Sequence, residues 1–157
     1  MSSEPRFIAD VMLGKLARWL RILGFDTIYF KGGDRREFIS IAREEDRIIL
    51  TRDTQFMARK NLPPNVFIPS DYPREQLREV SRSYDIFSSD NTFSLCSSCN
   101  IPIRPISKKH LEARVPEYIY TNHTRFSHCP GCGRIFWAGS HYKTMSERLD
   151  DLSGESA

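Results

Sequence analysis

The first ninety residues alternate between short apolar runs and longer segments in which apolar positions recur every three or four residues. The short runs have the length and composition of β-strands and lie at 6–9, 27–30, 47–51 and 65–69. The segments between and after them have helical periodicity and predict helices over 11–23, 35–45, 54–60 and about 72–84. Strands that alternate with helices predict an α/β fold with a parallel sheet, flanking helices and right-handed crossovers.

An aspartate follows each of the four predicted strands: Asp10, Asp34, Asp53 and Asp71. Because parallel strands end at one edge of the sheet, these carboxylates would meet in the crevice where open α/β folds bind ligands. Close carboxylates repel one another unless a cation neutralises them. The pattern predicts a catalytic Mg²⁺ or Mn²⁺ site with Asp10 and Asp53 as direct ligands. Asp34 and Asp71 would bind through water or orient the nucleophile.

A structural interpretation of the same aspartates stays open. Each stands just before a predicted helix, where aspartate is a favoured N-cap. The two interpretations are compatible, since a capping carboxylate at this edge also faces the crevice. Glu37 is an alternative to Asp34, and Ser70-Asp71 is also a good turn sequence.

The motifs of several other crevice chemistries are missing from the sequence. No Gly-x-Gly-x-x-Gly follows the first strand, and there is no Walker lysine motif or Gly-x-Ser-x-Gly elbow. Met12 stands where a phosphoaspartyl phosphatase would favour a second aspartate. Phosphodiester hydrolysis fits better, because it needs charge neutralisation at the phosphate and an activated water, and divalent ions supply both.

Basic residues accompany the acids. Lys15, Arg18 and Arg21 share one face of the first predicted helix, and Arg52 precedes Asp53. Lys15, Arg18 and Arg52 are candidate contacts for nucleic-acid phosphates, whereas Arg21 is expected to be plain surface. The alternative is a solvated helix face. A net charge of +3 and a pI of about 8.7 tolerate a nucleic-acid partner without establishing one.

Two Cys-x-x-Cys pairs, Cys96/Cys99 and Cys129/Cys132, form a strong metal-binding pattern. Four thiolates predict one tetrahedral, structural Zn²⁺, because a closed Cys₄ site has no open position for catalysis. Asn100 stands where glycine would be ideal after the first pair, and asparagine tolerates the left-handed conformation. The long spacer between the pairs predicts an inserted loop or helix at 108–114. Redox dithiols are the less favoured alternative.

Changes in composition along the chain predict its domains. The polar stretch 88–92 separates a first domain, 1–90, from a zinc ribbon, 91–142, and 143–157 is expected to be a C-terminal helix or disordered tail. No apolar run approaches the ~20 residues of a membrane span. The first residues lack the apolar region of a signal peptide. We therefore expect a cytoplasmic protein whose cysteines stay reduced.

Four motifs resemble the Mut-seven C-terminal ribonuclease family, which is similar to PIN-type nucleases. They read Asp10-Val11-Met12-Leu13-Gly14-Lys15-Leu16-Ala17-Arg18-Trp19-Leu20-Arg21, Leu50-Thr51-Arg52-Asp53, Cys129-Pro130-Gly131-Cys132-Gly133-Arg134 and Trp137-Ala138-Gly139-Ser140-His141-Tyr142. The resemblance implies a PIN-like, Rossmann-like acidic nuclease domain that carries a zinc ribbon. It also implies acidic positions at Asp10, Asp34, Asp53 and Asp71, with Lys15, Arg18 and Arg52 nearby. No role follows from chemistry for Gly139-Ser140-His141-Tyr142.

The sequence thus predicts a metal-dependent ribonuclease whose ribbon assists RNA binding. The alternative is a non-catalytic RNA- or ribosome-binding adaptor, in which the acids only cap helices. A metal-dependent phosphatase of small molecules is less favoured, because a small substrate needs no second binding platform. The expected partners are RNA and, beyond it, the ribosome or RNA-processing proteins.

Overall fold

A computed structural model describes residues 4–138, 147–148 and 150–151. The chain divides into two compact units, the first ending at Asn100 and the second beginning at Ile101. The predicted domain boundary after residue 90 stays a prediction. The Gly139-Ser140-His141-Tyr142 segment and most of the predicted tail at 143–157 lie outside the described residues.

The first unit contains a four-stranded parallel sheet, which confirms the predicted α/β fold. Its strands are β1 (Phe7–Ala9), β2 (Thr27–Tyr29), β3 (Ile48–Thr51) and β4 (Asn65–Phe67). Their order is β2-β1-β3-β4, and every neighbouring pair is parallel. The two central strands are therefore β1 and β3, each placed between two others.

Helices connect the strands of this sheet. Val11–Leu13 forms a 3₁₀ turn that leads into α1 (Gly14–Ile22). The others are α2 (Arg35–Glu44), α3 (Thr54–Met57) and α4 (Pro73–Ser81). All four predicted helices are present, although each is shorter than its periodic segment. Within the described residues, no helix has both the length and the apolar character that crossing a bilayer requires.

One core cluster of the first unit lies between the sheet and α2. Ile8 and Ile49 of the central strands are fully buried, and they cluster with Phe30, Phe38 and Phe56. Burying each such side chain stabilises the fold by roughly 1.5–3 kcal/mol. This core fixes the ends of β1 and β3, and so fixes the position of the residues that follow them.

The second unit is built on a small antiparallel sheet. Its strands are β5 (Arg104–Ile106), β6 (Phe126–His128) and β7 (Ile135–Phe136), in that order. A core of Leu111, Val115 and Phe126 is covered in part by Trp137. The insertion predicted at 108–114 holds only a 3₁₀ turn, Lys108–His110, while α5 (Glu117–Asn122) lies further on. Pro116 is the N-cap of α5, and a proline disfavours the helical conformation in the residue before it, so α5 begins only after Pro116.

Candidate active site and cysteine cluster

Two carboxylates stand at the ends of the central strands. Asp10 directly follows β1, and Asp53 comes two residues after β3 ends at Thr51. Ala9 lies opposite Leu50 in the sheet, and the Asp10 backbone N–H donates to the Leu50 carbonyl at 3.0 Å. The pairing of parallel strands therefore brings Asp10 and Asp53 to the same edge, at its centre.

Arg35 joins the two carboxylates. Its Nη1 donates to Asp10 Oδ1 and its Nη2 donates to Asp53 Oδ2, each at 2.9 Å. The guanidinium also lies over the rings of Phe38 and Phe56, 5.4 and 5.2 Å from their centroids. Sequence reasoning missed Arg35. One feature of the sequence could have identified it. Arg35 is a basic residue in the first turn of a predicted helix, where the helix dipole favours acidic residues.

Asp10 is the most enclosed acid of the site, with only 3% of its surface exposed. Its Oδ2 accepts from the Thr51 hydroxyl at 2.7 Å, and its Oδ1 accepts from the Val11 backbone N–H at 2.8 Å. Burial by itself would raise the pKa of Asp10, but the hydrogen bonds from Arg35, Thr51 and Val11 outweigh it and hold that pKa below its usual value. Asp10 is therefore ionised at neutral pH.

Asp53 divides its two oxygens between two roles. Its Oδ1 caps α3 by accepting from the backbone N–H groups of Gln55 and Phe56, at 2.9 and 3.2 Å. Its Oδ2 faces Arg35. The Asp53 backbone N–H also donates to the Thr51 hydroxyl at 3.1 Å, so Thr51 connects the two acids as well.

Asp34 and Asp71 are placed differently. Asp34 is exposed and caps α2 by accepting from the Arg36 backbone N–H, a bond that lowers the pKa of Asp34. Asp71 is exposed in the turn before α4. In the described part of the chain, neither acid bonds to Asp10 or Asp53, and no three carboxylates come close enough to share one ion. A role for Asp34 and Asp71 through water stays a prediction.

The candidate phosphate contacts flank the Asp10–Asp53 pair in sequence. Lys15 and Arg18 are exposed on α1, which follows Asp10. Arg52 is half-buried between Thr51 and Asp53, and its Nη2 donates to the Pro69 carbonyl at 3.3 Å. The Nε of Arg52 is buried and has no hydrogen-bond partner among the described residues.

The expectation that Arg21 is plain surface was wrong. Its Nε donates to the Thr27 carbonyl at 2.8 Å and its Nη1 donates to the Ser97 carbonyl at 2.9 Å. Burial lowers the pKa of Arg21. Helical spacing identified the shared face of Lys15, Arg18 and Arg21, but it carries no information on which later segment covers one end of that face.

The four cysteines form a compact cluster, as the sequence predicted. The sulfur atoms of Cys96, Cys99, Cys129 and Cys132 all lie within 4.8 Å of one another. The Gly131 backbone N–H donates to Cys129 Sγ at 3.3 Å. Asn100 has a φ of +62°, the left-handed conformation expected at that position. Four thiolates at this separation fit a single tetrahedral Zn²⁺.

Comparison with known proteins shows the family of this chain. A family model described as the Mut7-C RNAse domain matches residues 5–149. The chain belongs to the Mut7-C RNAse domain family. The matched range includes the parallel sheet, Asp10, Asp53 and both cysteine pairs of this Mut7-C chain. The match indicates a nuclease function with RNA as the substrate. No curated protein and no solved structure matches the chain.

Proposed function

We propose that this Mut7-C protein is a metal-dependent ribonuclease that hydrolyses RNA phosphodiester bonds at the Asp10–Asp53 pair. The observation that carries the proposal is the geometry of this pair, whose two facing oxygens lie 2.9 Å from one cationic group at the centre of the sheet edge. Two carboxylates completed by water and substrate oxygens are a donor set that Mg²⁺ and Mn²⁺ use. The residues present therefore fit the catalytic ion.

Each residue has a distinct task in this mechanism. Asp10 and Asp53 would hold the ion, and the Thr51 hydroxyl fixes the orientation of Asp10. When bound, Mg²⁺ or Mn²⁺ supplies charge neutralisation at the phosphate and makes a water molecule more acidic. Asp34 and Asp71 would bind the ion through water or orient the attacking water. Hydrolysis leaves 5′-phosphate and 3′-hydroxyl ends.

Lys15, Arg18 and Arg52 bind phosphates on either side of the scissile bond. The exposure of Lys15 and Arg18 on α1, and the position of Arg52 next to Asp53, support this assignment. Such contacts position the RNA without reading its sequence.

The cysteine cluster holds a structural Zn²⁺, and the second unit assists RNA binding. Support comes from the cluster geometry and from the exposed basic side chains of that unit: Arg104, Lys109, Arg114, Arg125 and Arg134. Basic groups on one small unit attract a phosphate backbone without base specificity.

Substitution of Asp10 and Asp53 tests the proposed ribonuclease activity. We expect Asp10→Asn and Asp53→Asn each to lower the cleavage rate of single-stranded RNA by about 100-fold or more, since each removes a ligand of the charge-stabilising ion. RNA binding should change by only a few-fold. Asp46→Asn is the matched control, because Asp46 is exposed just before β3, at the opposite edge of the sheet, and its φ of +53° suits asparagine.

The adaptor alternative has two observations in its favour. Arg35 already pairs with both acids, as in a purely structural ion pair, and Asp53 caps α3. An adaptor predicts RNA binding by the wild type with no cleavage at any Mn²⁺ concentration. In that case the aspartate variants would change stability alone.

A further inference from the structure

We propose that Arg35 is a built-in counter-ion that competes with the divalent metal for the Asp10–Asp53 pair. It keeps the site assembled when no metal is bound, and its guanidinium leaves the two carboxylates when Mg²⁺ or Mn²⁺ binds. The inference rests on the proposed function, since it assumes that the pair is a metal site.

The contacts of Arg35 place its charge on the oxygens that a metal needs. Its two Nη atoms take one oxygen from each acid, Asp10 Oδ1 and Asp53 Oδ2. Asp10 Oδ1 also accepts from the Val11 N–H, and the remaining oxygens are engaged by Thr51 and by the α3 cap. Asp53 Oδ1 already accepts two hydrogen bonds, so a metal that binds Asp53 would use Oδ2, the oxygen that Arg35 occupies.

The position of Arg35 in its helix argues against a local role. It is the first residue of α2, directly after the capping residue Asp34. The N-terminal end of a helix carries partial positive charge, so a cation there is unfavourable for the helix. The two carboxylates, and not α2, account for an arginine at this position.

The Arg35 side chain is supported by two aromatic rings and is partly exposed. The rings of Phe38 and Phe56, both buried, support the guanidinium from the core side. The Arg35 side chain is still 27% exposed, and within the described residues its polar partners are the two acids alone. Departure of the guanidinium would break two charged hydrogen bonds, both of them to carboxylates that the metal then binds.

The charges favour replacement of the Arg35 guanidinium by the metal ion over simultaneous binding of both. Two carboxylates and one guanidinium leave the pair with a charge of about −1, whereas two carboxylates and one divalent ion are neutral. A guanidinium and a metal ion on the same oxygens would repel each other at short range. Arg35 therefore lowers the apparent metal affinity and makes the site depend less on metal for its assembly.

Titration of Mn²⁺, followed by the electron paramagnetic resonance signal of the unbound ion, tests this role without measuring cleavage. The experiment compares zinc-loaded wild type with Arg35→Gln. An adjacent arginine typically lowers the pKa of an aspartate by about 1–3 units, which means that it weakens proton binding by about tenfold or more. It should weaken Mn²⁺ binding to the same carboxylates by a similar factor, so Arg35→Gln should bind Mn²⁺ about tenfold more tightly or better. Arg43→Gln, the same change in the last turn of α2, is the matched control and should alter binding less than about twofold.

A second readout concerns stability. Without Mn²⁺, Arg35→Gln should unfold at a lower temperature than the wild type, because two close carboxylates are left without a cation. At saturating Mn²⁺ this difference should shrink. If Arg35→Gln does not fold, Arg35→Lys replaces it. Lysine keeps the charge but cannot bridge both acids as a fork, so several-fold tighter Mn²⁺ binding is expected.

The outcomes separate the two proposals. Equal or weaker Mn²⁺ affinity in the Arg35 variant, with binding abolished by Asp10→Asn, would overturn the counter-ion role and leave the ribonuclease proposal standing. A failure of wild type and variant alike to bind Mn²⁺ at this pair would overturn both proposals.

Discussion

The Asp53 side chain is both a helix cap and part of the candidate site, the two interpretations that the sequence left open. One oxygen caps α3 and the other faces Arg35, so the cap holds the second oxygen in place for the site. Asp34 also caps its helix, but it is exposed and pairs with Arg36 at 3.3 Å. The difference between the two acids lies in the strands they follow, because β3 is central in the sheet while β2 is at its edge.

A second ion pair, between buried Arg47 and partly exposed Asp26, lies away from the candidate site and leads to a prediction about pH. Arg47, whose side chain is only 4% exposed, donates to Asp26 Oδ1 at 2.9 Å. Burial would raise the pKa of Asp26, but hydrogen bonds from Arg47 and Asn100 outweigh it and lower that pKa. Because the folded pKa lies below the unfolded value of about 3.9, ionised Asp26 stabilises the fold above that pH, and the effect is lost as pH falls through the folded pKa.

We therefore expect Asp26→Asn to be less stable than the wild type at pH 7, with a gap that shrinks toward pH 3. Urea unfolding of both proteins at each pH measures the gap. A gap of equal size at both pH values would contradict the assigned role of the carboxylate charge.

At the scale of elements, the turn that ends α1 packs against the segment that contains Asn91. Gly24 follows the helix with a φ of +97°, a left-handed conformation that favours glycine. A Cβ at this position would lie 2.3 Å from the Asn91 carbonyl oxygen. The segment that leads to the first cysteine pair thus packs directly on the turn that ends α1.

Gly24→Ala should destabilise the protein by about 2 kcal/mol or more, since it adds a steric overlap to backbone strain. Gly32→Ala is the matched control, because Gly32 has a φ of +116° and a Cβ added there would meet no described atom within 4 Å. Thermal unfolding measures both variants. Equal losses in the two variants would show that the Asn91 contact contributes nothing.

Elements were more predictable from the sequence than contacts. The strands and helices of the first unit follow from local periodicity, and the edge shared by Asp10 and Asp53 follows from the parallel topology. Arg35 and Arg21 were missed, because their partners are distant in the sequence. Arg35 pairs with Asp10, 25 positions away, and Arg21 binds the carbonyl of Ser97, 76 positions away. Periodicity does not encode such pairings.

At the scale of the whole molecule, the two units differ in what stabilises them. The first has a core on a parallel sheet, whereas the core of the second consists of Leu111, Val115 and Phe126 with partly buried neighbours. A hydrophobic core of that size gives only marginal stability unless a metal ion or a disulfide adds to it. The proposed zinc ion would add that stability, since metal binding contributes directly to folding in small metal-binding units.

Removal of zinc by a chelator should therefore unfold the second unit before the first. Amide hydrogen exchange at Phe126–His128 should rise by roughly 100-fold or more, while exchange at Ile48–Thr51 should change much less. Readdition of Zn²⁺ should restore the protection. Unchanged exchange at Phe126–His128 after complete zinc removal would contradict a stabilising role for the metal.

The central claim is that the Asp10–Asp53 pair makes this Mut7-C protein a metal-dependent ribonuclease. The most direct measurement is cleavage of end-labelled single-stranded RNA by metal-stripped, zinc-reloaded protein as Mn²⁺ is added. The account predicts no cleavage in its absence, a saturable rise with Mn²⁺, and products with 5′-phosphate and 3′-hydroxyl ends. Cleavage of equal rate without the ion, or no cleavage at any Mn²⁺ concentration while RNA still binds, would contradict it.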